Sequence, residues 1–222
     1  DDATLRYGLA SSLYALGRYA EAAEEYRRTA ELAPDDGSAY AGLGDALARL
    51  GRNAEAVSAY RRSLELDGSQ VLVWVSLGLT YEADTDWLAA EGAYAEAVQR
   101  SPDEAYVRGA HARTLWQMGR LAEAVAEYEE AARLAPSDVV YAEQIALGYA
   151  ALNQPDQALA AAEAALRLNP QSPLAHLVLA GIAEDRGDAT TAREHYALAL
   201  ESAGANDALR KVAEEGLARV GG

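Results

Sequence analysis

The chain has no cysteine, no phenylalanine and one methionine among its 222 residues. Without cysteine there are no disulfides, no thiolate nucleophiles and no thiolate metal sites, and the redox compartment is left undetermined. Lys211 is the single lysine, every other basic residue being arginine, and isoleucine occurs only at Ile145 and Ile182. That bias is the one GC-rich coding produces, and it points to a bacterial source. No stretch approaches the roughly 18 uninterrupted apolar residues of a membrane span, so no membrane insertion is expected. No basic-then-apolar leader is visible either. The chain opens at Asp1 without a methionine, which points to a fragment or a processed form. Localisation is thus expected to be cytoplasmic first, and periplasmic if a signal has been removed. Positive charge is scarce: the net charge is −16. Such a surface repels phosphate backbones and anionic lipids, so neither nucleic acid nor a membrane is the expected partner. Solubility of an elongated chain accounts for the charge, and an acidic groove for a basic peptide is the sharper alternative.

What is present is a repeat of 34 residues. Pro34, Pro102, Pro136 and Pro170 hold one frame position, with Gly68 and Gly204 on the missing beats. Ala22, Ala56, Ala90, Ala124, Ala158 and Ala192 share another without exception. Tyr26, Tyr60, Tyr94, Tyr128 and Tyr196 share a third, where Ala162 departs. Gly17, Gly51, Gly119 and Gly187 mark a central turn, replaced in the third copy by Asp84-Thr85-Asp86, which is expected to cap a helix starting near Trp87. On either side of that turn, apolar residues recur at three- and four-residue spacing, the signature of an amphipathic helix. Each copy therefore reads as two helices. The proline or glycine between copies stops the second helix, and Pro155 sits where a helix can begin without its N–H. The copies run 3–36, 37–70, 71–104, 105–138, 139–172 and 173–206, together 3–206.

Beyond them, 207–222 reads as a capping helix. Leu209, Val212, Ala213, Leu217 and Val220 fall on its inner side, and Arg210, Lys211, Glu214, Glu215 and Arg219 on its wet side. No such cap precedes the first copy, which again suggests truncation at that end.

In the third copy the landmarks are Trp74, Leu77-Gly78, Tyr81, Ala90, Tyr94 and Pro102. These resemble the tetratricopeptide repeat, whose pattern has those residue types at those offsets. The resemblance covers about nine-tenths of the chain. It implies an all-α fold, an α-α superhelix or solenoid of six helix-turn-helix repeats with a C-terminal capping helix. It also implies a protein or peptide ligand held on the concave face lined by the first helices. Some family members grip a terminal carboxylate there with lysine, arginine and asparagine. Tyr7, Ser11, Gly42, Leu72 and Ser76 stand at the matching places, so that clamp is absent.

Nothing in the chain reads as an enzyme. His111, His176 and His195 have no histidine or paired carboxylate at metal-ligand spacing along a helix, and His111 occupies a leucine core position. The Gly-Leu-Gly at 42–44 lacks the preceding strand of a phosphate loop. Asp84 and Asp86 lack the remaining ligands of a calcium loop. No cofactor and no metal are expected.

The candidate binding residues come from helical geometry. At about 100° per residue, the side of each first helix opposite its core positions carries Leu72, Val75 and Leu79 in the third copy. The fourth supplies Tyr106, Arg113, Trp116 and Gln117, and the fifth Val140, Glu143 and Leu147. A solvated face would not collect so many apolar and aromatic groups, and such a patch marks an interaction site. The competing account is that adjacent first helices bury parts of these side chains against each other. A peptide-binding scaffold is the expected function. A self-associating, homo-oligomeric module and a regulatory or targeting arm of a larger enzyme are the alternatives.

Overall fold

The computed structural model describes residues 2–221, and among them the chain is all helical, with no strand. First helices α1 (Ala3–Ala15), α3 (Gly37–Arg49), α5 (Val71–Ala83), α7 (Ala105–Gln117), α9 (Val139–Ala151) and α11 (Pro173–Asp185) start 34 residues apart. Second helices α2 (Tyr19–Leu32), α4 (Asn53–Leu66), α6 (Trp87–Arg100), α8 (Leu121–Leu134), α10 (Pro155–Leu168) and α12 (Ala189–Ser202) keep the same step, and α13 (Asp207–Val220) comes after them. Local chemistry explains the bounds. The carboxylates of Asp2, Asp36 and Asp138 accept hydrogen bonds from the backbone N–H of Thr4, Ser38 and Val140 at 2.8, 2.9 and 3.0 Å, satisfying donors that a helix start leaves orphaned. The hairpin turns need a left-handed residue. Gly51 takes φ +71°, and Thr85 and Asn153 take φ 57° and 56° in the two turns that lack glycine. Such turns close by a backbone bond back to the helix they leave, as from Arg52 N–H to Leu47 and from Gln154 N–H to Tyr149, both 2.9 Å. Asp86 caps α6 through Ala89 N–H, as expected.

The chain divides into two compact units, Asp1–Met118 and Gly119–Gly222. In the first, each helix from α1 to α7 lies against the next, and α3 also touches α1 and α5. That succession is the arrangement of a helical solenoid. The recurring alanines Ala22, Ala56 and Ala90 are fully buried at the crossings, and the recurring Tyr26, Tyr60 and Tyr94 are buried beside them. Each tyrosine ring lies on a glycine of a first helix. A Cβ at Gly44 would stand 2.5 Å from the Tyr60 ring, and one at Gly78 2.7 Å from the Tyr94 ring. Only glycine lets ring and helix backbone meet this closely.

In the second unit α8 to α13 pack in succession, and α11 touches both α9 and α13. Here Ala162 stands at the tyrosine position. It is buried in an aliphatic cluster with Ala146, Val178, Leu179 and Ile182. Tyr196 restores the tyrosine–glycine contact, its ring lying on Gly216 of α13. The cap is also latched. Arg219 Nε donates to Glu184 at 2.8 Å, the Tyr196 hydroxyl donates to Glu184 at 2.5 Å, and Arg193 donates to the Val220 carbonyl at 2.8 Å. The inner side expected for α13 needs one correction: Val212 is 48% exposed, and the buried positions are Ala213 and Gly216.

Replacing Gly44 or Gly78 by alanine forces the ring or the helix to move. A loss of about 1–3 kcal/mol is expected in urea unfolding. Gly92 of α6 has open space around its Cβ position, so Gly92→Ala is expected to gain about 0.5–1 kcal/mol. Equal effects at Gly44 and Gly92 would rule out the ring contact as the cause.

Candidate binding face

In the first unit the expected lining residues separate into exposed and covered ones. Leu72 is 78% exposed, and Leu79 and Tyr106 are exposed as well. Trp116 is half-buried and Gln117 exposed. Val75, expected on the same open side, is 4% exposed. It packs with Tyr94, Val107 and Ala110. The adjacent first helix covers it, so it is removed from the accessible lining. Arg113 is exposed, but its guanidinium is tied to Glu82 at 2.7 Å, and the Thr114 hydroxyl donates to the same carboxylate at 2.8 Å. This bond brings α5 and α7 together at the face.

The first unit also holds a polar cavity of about 290 Å³ between α1, α3, α4 and α5. Asp45 and Tyr60 sit in it, with Tyr14 and Ser76 on its walls. The Tyr60 hydroxyl donates to the Asp45 carboxylate at 2.7 Å. Burial pushes the Asp45 carboxyl above the usual carboxylate range, partly offset by the Tyr60 and Ser76 hydroxyls. The same burial, and then the neighbouring Asp45 charge, push the Tyr60 phenol up. Nothing in the periodicity singles out Asp45, because the first-helix face is polar at many other positions too.

In the second unit Val140 is exposed, while Glu143 and Leu147 are half-buried. The Ser172 hydroxyl donates to Glu143 at 2.5 Å, so this carboxylate joins α9 to the start of α11. Leu147 lines an apolar cavity of about 360 Å³ together with Leu174 and Leu177 of α11 and Leu209 and Val212 of α13. The spacing of the last two points to cap packing, but both open onto this cavity. The cavity exists because α13 continues the row of first helices and leaves a trough beside α11.

Two histidines that lie far apart in sequence meet between α11 and α12. His176 Nδ1 and His195 Nδ1 are 3.1 Å apart. His176 Nε2 lies 3.2 Å from the Pro170 carbonyl, which can only accept, so that nitrogen carries the proton. With that tautomer, Nδ1 of His176 is the acceptor for the His195 N–H. Burial, and then His176, lower the His195 pKa. Among the described residues no group of three or more histidine, cysteine or carboxylate side chains is placed to hold a metal ion. None of their helices is long and apolar enough to cross a membrane.

The family model for the tetratricopeptide repeat matches residues 7–71, 75–139 and 144–208. No curated protein matches the chain. Among solved structures the chain is similar to YrrB, a protein of this repeat type with an unusual peptide-binding site, at TM-score 0.74 and 18% identity over 87% of this chain and 99% of that one. It is also similar to pilF of Pseudomonas aeruginosa, at TM-score 0.72 and 19% identity over 96% of each chain. A third is MamA of Desulfovibrio magneticus RS-1, at TM-score 0.69 and 17% identity over 78% of this chain and 97% of that one. At these identities the likeness is one of fold.

The latch on α13 gives the cavity an acid limit. Hydrogen bonds from Arg219 first, and then Tyr196, hold Glu184 down at about 2, against 4.5 for a free side chain. A carboxylate whose folded pKa is depressed stabilises above its unfolded pKa, and that stability fades as pH falls through the folded value. Amide protection of α13 is therefore expected to decline between about pH 4.5 and 2. Arg219→Met is expected to lower the neutral-pH melting midpoint by about 1–3 °C and to flatten this acid slope. An unaltered acid slope in the variant would assign the response to other groups.

Proposed function

The chain belongs to the tetratricopeptide repeat family, and on that premise we propose that it is a scaffold that holds an extended peptide or protein segment against its first-helix faces. Repeats of this family serve in general as interaction modules, and YrrB, a neighbour in fold, has a peptide-binding site. The observation that carries the proposal is the 360 Å³ cavity on the first-helix side of the second unit. Its walls are Leu147, Leu174, Leu177 and Val212, with few polar groups at the rim, which suits an apolar anchor side chain. A monomer gains nothing from leaving this much apolar surface to water. Val140 and Glu143 extend the same face in that unit. In the first unit the contact residues are Leu72, Leu79, Tyr106, Trp116 and Gln117, with Arg113 held in place by Glu82.

A charge in the cavity removes the anchor without touching the core, because Leu174 is only half-buried and Val212 is exposed. Immobilised libraries of random decapeptides are expected to yield binders for the wild-type protein. Leu174→Glu and Val212→Glu are each expected to weaken those binders about tenfold or more, with unchanged melting. Binding that survives both substitutions would remove the cavity from the site.

A further inference from the structure

We propose that the first-helix face of the first unit contains a specificity pocket for one basic side chain of the guest, lysine or arginine, with the Asp45 carboxylate as its anionic floor, a role that rests on that face being a peptide-binding one. The pocket is the polar cavity between α1, α3, α4 and α5. Three observations carry the assignment.

First, the charge on Asp45 is surplus to the fold. In the preceding repeat the equivalent hydroxyl, that of Tyr26, is satisfied at 3.1 Å by neutral Ser11, which stands at the same frame position as Asp45. Further along the chain that position is Leu79, Arg113, Leu147 and Gly181. A hydroxyl would serve Tyr60 equally well, so the repeat itself does not call for an anion.

Second, the anion lacks a counter-ion. Its hydrogen-bond donors are the Tyr60 and Ser76 hydroxyls, both neutral. Among the described residues no cation pairs with it. Arg49 lies at the cavity wall but turns away, donating to the Tyr19 hydroxyl at 3.0 Å with its guanidinium 5.2 Å over the Tyr19 ring. A carboxylate has about four acceptor sites, so room for a further donor remains. The raised carboxyl pKa fits the same picture: burial penalises a charge that nothing of opposite sign compensates.

Third, the surroundings suit a long side chain with a cationic tip. Tyr14 and Leu79 line the same cavity as Asp45 and offer apolar surface to an alkyl stem. The net charge of −16 draws basic guests towards the protein from a distance.

The test uses the full chain and arrays of random decapeptides. Wild-type protein is expected to select peptides with lysine or arginine at one fixed position relative to an apolar residue. Asp45→Asn keeps an acceptor for Tyr60 and is expected to reduce that enrichment about tenfold, leaving the apolar preference intact. Leu79→Lys brings a tethered ammonium within reach of Asp45 and is expected to erase the enrichment as well. Basic residues not enriched, enriched without a fixed position, or enriched equally in Asp45→Asn would overturn the pocket. In those cases continued weakening by Leu174→Glu would leave the peptide-binding proposal standing. No selection by wild-type protein would overturn both.

Discussion

A tyrosine ring laid against a helix at a point where a Cβ would collide governs most of the architecture. The contact fixes how near the second helix of a hairpin lies to the first at Gly44 and Gly78, and how near α12 lies to the helix after it at Gly216. It also has an outlet. A ring laid across the first helix carries its hydroxyl through to the far side, where ligands would sit. The hydroxyls of Tyr26, Tyr60 and Tyr196 emerge beside Ser11, Asp45 and Glu184. The core contact thus determines which polar groups stand on that far side, and how firmly. Asp45 and Glu184 illustrate the two outcomes. Each accepts from a tyrosine, but Glu184 is also neutralised by Arg219 while Asp45 meets only neutral donors.

The two units accordingly offer different chemistry. In the first unit the Tyr60 hydroxyl comes through beside Asp45, an anion with only neutral donors. Where Ala162 replaces tyrosine, no hydroxyl comes through, and an aliphatic cluster lies behind Leu147. The cavity bounded by Leu174, Leu177 and Val212 is the surface expression of that cluster, continued onto α13.

The fold was legible because the repeat reports it many times over. The paired helices, the proline or glycine between copies and the hairpin turn each recur, and even the Asp84-Thr85-Asp86 variant reads correctly from its N-cap aspartate. Asn153 is harder to see, since only its tolerance of a left-handed backbone marks it as a turn residue. The face was legible in outline and not in detail. Periodicity gives the direction in which Val75 points, but not that Val107 and Ala110 of the next first helix lie there to cover it. Val212 misled in the opposite sense, pointing inward by spacing and opening on a trough. The His176–His195 pair is invisible to a search along single helices, because each ring belongs to a different one. Asp45 stood among other polar residues of its face, and its lack of a counter-ion is a property of three dimensions alone.

In each unit a helix touches chiefly the helices just before and after it in sequence. Such a chain closes only short loops as it forms, so the entropy of bringing distant segments together is small and contact order is low. Structure can nucleate at more than one hairpin and spread to its neighbours. Damage stays local for the same reason. Loosening α13 is felt in α11 and α12, while a lesion under Tyr60 is felt between α3 and α5. Substitutions at the two cavities, having no shared neighbours, should therefore combine additively, and a double variant can be interpreted as the sum of its parts.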